Sequence, residues 1–228
     1  MTRFLHTTSD SIPTIDKHHQ KDGKRNALGV LSKAPIQGLS VTQRTLNPQA
    51  LGTLPVPWSL MTANTTNWMG AKALFTALGR GNNPTRPTFV ALEEHRNAQQ
   101  EDCKKAEDWC RNKGYNLSFA PASTTGLGKL HTSGGVAVGA LHHIGITQDM
   151  AFQQHFLAHK GRIHAVICNC LFPRGVLLVG AYWKNGLDMN MLTRLANHLL
   201  TCGRPWMLAC DWNVPPKVLI STGFLTKT

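Results

Sequence analysis

The sequence predicts an α/β protein in which stacked β-sheets are flanked by helices. Two observations carry that expectation. From Trp58 onward the predicted elements run β-α-β-α-β-β-β-β-α-β, which is neither strict βαβ alternation nor an all-β series. The strand PTFVALEE, moreover, is a continuous apolar run of the kind buried on both faces of a sheet. No internal repeat or low-complexity block interrupts the series.

Each element has its own local reason. WSLMTANTT reads as a strand, and NWMGAKALFTALGR as a helix stopped by the glycine-rich GRGNNP. After PTFVALEE, residues 97–113 form an amphipathic helix. Glu101 and Asp102 lie in its first turns, Arg111 and Lys113 in its last, and Gly114 suits the C-cap, all matching the helix dipole. YNLSFAP, SGGVAVGAL, GRIHAVICN and GVLLVGAYW follow as four strand candidates. Residues 187–202 return to helix, with Leu187, Met191, Leu195 and Leu199 on one stripe, and PWMLACDWN closes the series as a strand ending in polar residues.

The first 55 residues have a different composition. They hold one Phe (Phe4), no Trp or Tyr, and seven Lys and Arg against three Asp. We expect residues 1–55 to be a basic, unpacked leader and residues 56–228 to be the folded domain. The run Lys21 to Arg25 is a candidate nucleic-acid contact or nuclear targeting signal, with a plain solvated leader as the alternative.

The chain has 228 residues, 42% hydrophobic and 16% charged, with a net charge of +12. Such a balance suits a real core and a polyanionic partner, whether nucleic acid, a phosphorylated ligand or an anionic surface. The six cysteines show no C-x-x-C pair or zinc-type spacing and read as reduced thiols. The N-terminal residues lack an apolar signal-peptide core, and the longest apolar run, near Val176 to Trp183, falls short of the ~18 residues of a membrane span. The expectation is an intracellular protein, without a membrane partner.

Acids are scarce where they matter. From Trp109 to Thr228 there are 11 Lys and Arg but only Asp149, Asp188 and Asp211. Asp211 directly follows the apolar WMLAC, and Asn213 stands two residues on. That spacing puts an anionic and an amide ligand on one face at a strand end; an Asx turn closing the strand is the alternative. Glu93 and Glu94 end PTFVAL in the same way, and oxygen-rich sites of this kind suit Mg²⁺, with a surface Glu pair just past the strand as the alternative. Asn64 ends the first strand and Tyr182 ends LLVGAYW, with Asn185 close behind. Arg162, opening GRIHAV, is a candidate phosphate contact or a solvated edge charge. If these strand ends share one edge, they form a single polar, metal-competent cleft.

In order, TANTTNW, VALEEHR, SGGVAV, GAYWKN and ACDWN resemble the sequential motifs of the endonuclease/exonuclease/phosphatase superfamily, the fold of DNase I and the apurinic endonucleases. The resemblance covers about residues 57–224 and implies a DNase I-like four-layered α/β sandwich. It implies Asn64 and Glu94 as metal-side residues, with Glu93 in the place of a usual Gln. It implies Tyr182, Asp211 and Asn213 as catalytic residues, and Asn185 as a substrate contact. The implied reaction is hydrolysis of a phosphodiester in nucleic acid, DNA ahead of RNA, assisted by Mg²⁺ or Mn²⁺. His95 stands where Thr or Ser is common, Thr66 where some relatives carry an acid, and Ala209-Cys210 leads into D-x-N. The family's later Asp and its terminal S-D-H-like motif have no counterpart in VPPKVLISTGFLTKT. The expectation is therefore an incomplete domain lacking its last strands. A non-catalytic nucleic-acid-binding remnant, and a small-molecule or lipid phosphatase on the same fold, are the competing readings.

Other candidates carry less. His155 and His159 are spaced i,i+4 but lack the Glu of H-E-x-x-H and read as part of an amphipathic helix. Gly134 and Gly135 suit close backbone packing rather than a phosphate loop.

Overall fold

A computed structural model describes residues 40–44, 58–79, 86–124, 132–170, 172–184 and 186–222. In chain order these form β1 (Ser40–Arg44), β2 (Trp58–Asn64), α1 (Trp68–Gly79), β3 (Phe89–Glu93), α2 (Gln100–Asn112) and β4 (Tyr115–Ala120). Two short strands follow, β5 (Ser123–Thr124) and β6 (Thr132–Ser133), then β7 (Val136–Leu141), β8 (Ile146–Gln148), α3 (Met150–His155) and a 3₁₀ turn at Leu157–His159. The chain continues through β9 (Ile163–Cys168), β10 (Val176–Tyr182), α4 (Met189–Thr201), β11 (Trp206–Asp211) and α5 (Pro216–Ser221).

One sheet has the order β1-β2-β3-β7-β4 and a second the order β11-β10-β9-β8, while β5 and β6 pair separately. Their buried side chains sort into three cores, which define four layers. Met61, Val90, Leu92 and Leu117 on the first sheet pack against Ala71, Leu74 and Phe75 of α1 and Cys103, Ala106 and Cys110 of α2. Phe89, Ala91, Val136 and Val138 of the first sheet meet Val166, Leu178 and Met207 of the second. Leu177, Val179 and Ala181 on the far face of the second sheet pack against Phe152 of α3 and Met191, Leu195 and Leu199 of α4. The order of layers is helix, sheet, sheet, helix, as the sequence predicts.

The period of two along β3 explains its unbroken apolar run. Val90 and Leu92 face the helices while Phe89 and Ala91 face the other sheet, so all five residues are buried. β10 repeats the pattern, with Val176, Leu178 and Tyr182 on the inter-sheet face. Gly180 shares that face. A Cβ there would meet Val138 Cγ1 at 2.6 Å and Val136 Cγ1 at 2.7 Å. Gly180 therefore sets how closely the sheets approach, and Gly180→Val is expected to cost about 1–3 kcal/mol through overpacking. Urea denaturation of the folded domain measures it; an unchanged midpoint would contradict this packing role.

The end of α2 follows the predicted chemistry. Gly114 takes φ +83° beyond α2, and its amide donates to Arg111 O at 2.9 Å. Asp188 caps α4 by accepting from Met191 N at 3.0 Å, and Asp149 caps α3 from Phe152 N at 3.0 Å. Two differences stand out. Strand β1 lies inside the stretch expected to be an unpacked leader; it pairs antiparallel with β2 from Ser40↔Thr62 to Arg44↔Trp58. The sheet thus reaches back before residue 56, and residues 1–39 and 45–57 lie outside the described residues. Gly134 and Gly135 precede β7 rather than belonging to it, both at positive φ. Among the described residues, no helix is long and apolar enough to cross a membrane.

Candidate active site

Two parallel strand pairs, one in each sheet, build the site. β2 and β3 run parallel with Asn64 opposite Glu93, and β10 and β11 run parallel with Tyr182 opposite Asp211. Each pair is connected through a helix, α1 or α4, so that both strands end in the same direction. Packing the sheets face to face brings the four carboxyl-terminal ends to one edge. Two hydrogen bonds join them across the sheets. Asn64 Nδ2 donates to Asp211 Oδ2 at 2.7 Å, and Tyr182 OH donates to Glu94 Oε1 at 2.5 Å.

Local turns complete the constellation. Asn64 Oδ1 accepts from Thr66 N at 3.0 Å and Asp211 Oδ1 from Asn213 N at 3.2 Å, both Asx-type closures. The alternative read for D-x-N, a turn closing the strand, is thus present together with the cluster rather than instead of it. Asn213 Nδ2 reaches back to Trp183 O at 2.6 Å, and the Trp183 ring beneath stacks on Trp212 at 4.6 Å. Among the described residues, Thr66, Glu94, Arg96 and Asn213 are the non-glycine residues at positive φ, 60°, 59°, 58° and 47°. All four follow the ends of β2, β3 and β11. Such conformations cost about 1–3 kcal/mol each and concentrate where surrounding structure over-determines a functional geometry.

Glu93 and Glu94 are adjacent yet have different fates. Glu93 is 1% exposed, and its carboxylate accepts from Thr62 Oγ1, at 3.1 and 3.3 Å. Burial raises its carboxyl well above the ordinary 4.5; the Thr62 bond opposes this, and the charge of Asp211 adds to it. The left-handed turn at Glu94 instead swings that carboxylate toward Tyr182. Since the folded pKa of Glu93 is raised, its contribution to stability is full below about 4.5 and is lost as pH rises toward the higher folded value. Glu93→Gln keeps an acceptor for Thr62 and removes the buried charge. It is expected to stabilise the protein by roughly 1–3 kcal/mol at pH 7 and much less at pH 4. Denaturation at the two pH values checks it, and equal effects at both would contradict the buried-charge account.

The electrostatics are otherwise dominated by negative groups. Burial first, then the bond to Glu94 and the charges of Glu94 and Asp211, push the Tyr182 hydroxyl up, while Arg96 pulls the other way. Tyr182 is therefore a neutral donor. Cys210 is pushed up by burial and by Glu93 and Asp211, so it is an inert thiol beside the carboxylates.

Arg96 is the site residue that the sequence reading missed. It stands two positions after Glu94, beyond His95. His95 is fully buried, edge-on to Phe119 at 4.9 Å, and its Nδ1 accepts from Asn97 N at 3.1 Å. Burial lowers it to about 4, so it is neutral. It acts as a pin, with Glu94 and Arg96 projecting on either side.

The remaining sequence candidates divide. Arg162 directs Nη1 to Asp188 Oδ2 at 3.4 Å, at the cap of α4, while its carbonyl accepts from Tyr182 N at 2.7 Å. Its backbone adjoins the cluster; its guanidinium is engaged elsewhere. Asn185 lies outside the described residues. Of the three acids after Trp109, Asp149 and Asp188 are helix caps, which leaves Asp211 at the strand edge.

No protein-family model matches the sequence, and no curated protein matches it. Among solved structures, the chain is similar to the endonuclease domain of TRAS1, a telomere-specific non-LTR retrotransposon. That similarity has 14% identity and a TM-score of 0.40, covering 70% of this chain and 60% of that one. It is also similar to the AP endonuclease LMAP from Leishmania major, at 17% identity and a TM-score of 0.46, covering 69% of this chain and 55% of that one. Both are endonucleases. The chain spans little more than half the length of either.

Proposed function

We propose that the strand-end cluster is the catalytic centre of a divalent-metal-dependent phosphodiesterase of the endonuclease/exonuclease/phosphatase type acting on nucleic acid, DNA ahead of RNA. The observation that supports this reading is the pair of inter-sheet bonds, Asn64 to Asp211 and Tyr182 to Glu94, which gather the residues singled out by sequence.

The donor set fits a hard divalent cation. Glu94 and Asp211 bring two carboxylates and Asn64 an amide to one edge, and Mg²⁺ needs only one or two carboxylates beside its waters. Among the described residues no group of three or more His, Cys, Asp or Glu converges, which disfavours a softer, all-protein cage. Glu94 and Asn64 would hold Mg²⁺ or Mn²⁺, which when bound supplies positive charge against a phosphoryl oxygen. Asp211 orients a water for in-line attack on phosphorus and accepts its proton. The bond from phosphorus to the leaving oxygen breaks, and that oxygen takes a proton from solvent. The Asn213 amide donates its second N–H to a non-bridging oxygen, Tyr182 OH does the same by turning its one proton away from Glu94, and Arg96 holds the polyanion. Asn185 contacts a flanking phosphate, and Arg162 does so only by giving up Asp188 Oδ2.

The test is Mg²⁺-dependent cleavage of plasmid and abasic DNA by this chain and by any longer product of the same reading frame. Metal-dependent nicking that disappears with chelator is the expected result. A nucleic-acid-binding protein without catalysis is the competing reading. It predicts salt-sensitive DNA binding without cleavage and without dependence on Asp211.

A further inference from the structure

Arg162 stands beside the strand-end cluster with its charge turned elsewhere, and the group that holds it there is shared. Its backbone is fixed on both sides. Arg162 N donates to His159 O at 2.9 Å, and Arg162 O accepts from Tyr182 N at 2.7 Å. Only the side chain is left to choose a partner. Its Nη1 lies 3.4 Å from Asp188 Oδ2, and His159 Nδ1 approaches the same oxygen at 3.9 Å. The other carboxylate oxygen, Oδ1, is committed to the Met191 amide at the start of α4. One oxygen therefore serves two basic groups.

The hold on Arg162 is shallow. A charge-assisted N–H···O bond is ordinarily about 2.7–2.9 Å long, shorter than the 3.4 Å found here. Among the described residues no acceptor meets the buried Arg162 Nε. The hold also depends on a proton. The bond from the Met191 amide is the main reason that Asp188 lies below its ordinary 3.8, so it stays an anion. Burial lowers His159 from its ordinary 6.5; Asp188 opposes this, and Arg162 and Arg194 add to it. The His159 ring also meets Phe156, against which His155 and His198 lie as well. At neutral pH His159 is thus uncharged, and Asp188 answers Arg162 alone. In acid His159 becomes a second cation, which competes for the shared oxygen and repels the guanidinium. The side chains of His159, Arg162 and Asp188 are 14%, 29% and 29% exposed, so water screens this contest only in part.

We propose that Asp188 is a positioning residue that parks Arg162 away from the substrate, and that protonation of His159 releases Arg162 to a flanking phosphate, so that polyanion binding strengthens on acidification. The gate rests on the reading of the strand-end cluster as a nucleic-acid site.

Affinity of the full chain for a short DNA duplex is measured by fluorescence anisotropy with chelator present, at about pH 5 and about pH 8, and ¹H–¹⁵N spectra confirm that each variant is folded. Asparagine is as good an N-cap as aspartate, so Asp188→Asn keeps α4 while removing the hold on Arg162. At pH 8 it should raise affinity about tenfold, the worth of one charged hydrogen bond. In an Arg162→Ala background the same change should move affinity by less than about twofold. On acidification the parent should gain at least about threefold more than Arg162→Ala, or than His159→Gln, whose side chain stays neutral. The His159 ring, followed by ¹H–¹³C spectra without nucleic acid, should titrate higher in Arg162→Ala and lower in Asp188→Asn. An Asp188→Asn gain that persists without Arg162, equal acid gains in all three chains, or a His159 titration indifferent to both partners would each overturn the gate and leave the nucleic-acid reading intact. No DNA binding at either pH would overturn both.

Discussion

Asp211→Asn is expected to lower metal-dependent phosphodiester cleavage by about 10²–10⁴-fold while leaving the fold intact. Asp211 is the carboxylate that joins the two sheets at the site, accepting from Asn64 on one oxygen and from Asn213 N on the other. Asparagine is nearly isosteric, so the neighbours keep their places. It cannot take the proton of an attacking water, and its amide turns one acceptor into a donor opposite Asn64 or Asn213 N. Removing the charge also eases the upward push on both Glu93 and Tyr182, so Glu93 should titrate lower in the variant. Single-turnover rates at saturating enzyme isolate the chemical step, and DNA affinity should hold or rise, because the substitution removes a negative charge from a polyanion's site. A rate within about twofold of the parent would remove Asp211 from the chemistry.

How much of this was legible in sequence follows from what each residue depends on. The strands were visible because burial on two faces writes a continuous apolar run, as in β3 and β10. Helix α2 was visible because its caps and charges agree with its dipole. The four strand ends were visible because acids are rare enough for Asp211 to stand out. Short elements carry no such period: β8 has three residues, α3 and α5 six each, and β1 gains its order only by pairing with β2. The bond between Asn64 and Asp211 joins residues 147 apart, and no local pattern encodes it. The separation of Glu93 from Glu94 depends on one left-handed turn, φ 59°, at a residue type that rarely adopts it. Arg96 was missed for the same reason: its position follows from that turn and not from its spacing. Arg162 shows the converse, a plausible basic residue whose partner, Asp188, belongs to a helix cap.

The turn that carries Glu94 and Arg96 rests on a glycine, and it yields the largest stability effect we expect. Gly135 sits at φ +86°, and a Cβ there would lie 2.6–2.9 Å from three atoms of the His95 ring. Gly135→Ala is therefore expected to destabilise the domain by about 2–4 kcal/mol, overpacking adding to the left-handed penalty of a non-glycine residue. The ring cannot swing away, because Phe119 closes one side and the Asn97 amide holds Nδ1. The strain must pass along the backbone to Glu94 and Arg96, whose carbonyl and amide neighbours include Gly134 O, bonded to Arg96 N at 3.1 Å. Activity per folded molecule should fall as well as stability. A double variant, Gly135→Ala with His95→Ala, distinguishes this from a simple glycine effect. Removing the ring opens space for the new Cβ, so the pair should be less destabilised than the two single changes added together, by about 0.5–3 kcal/mol. Strict additivity in urea denaturation would mean that Gly135 acts through its backbone alone and that His95 is not the pin of the site.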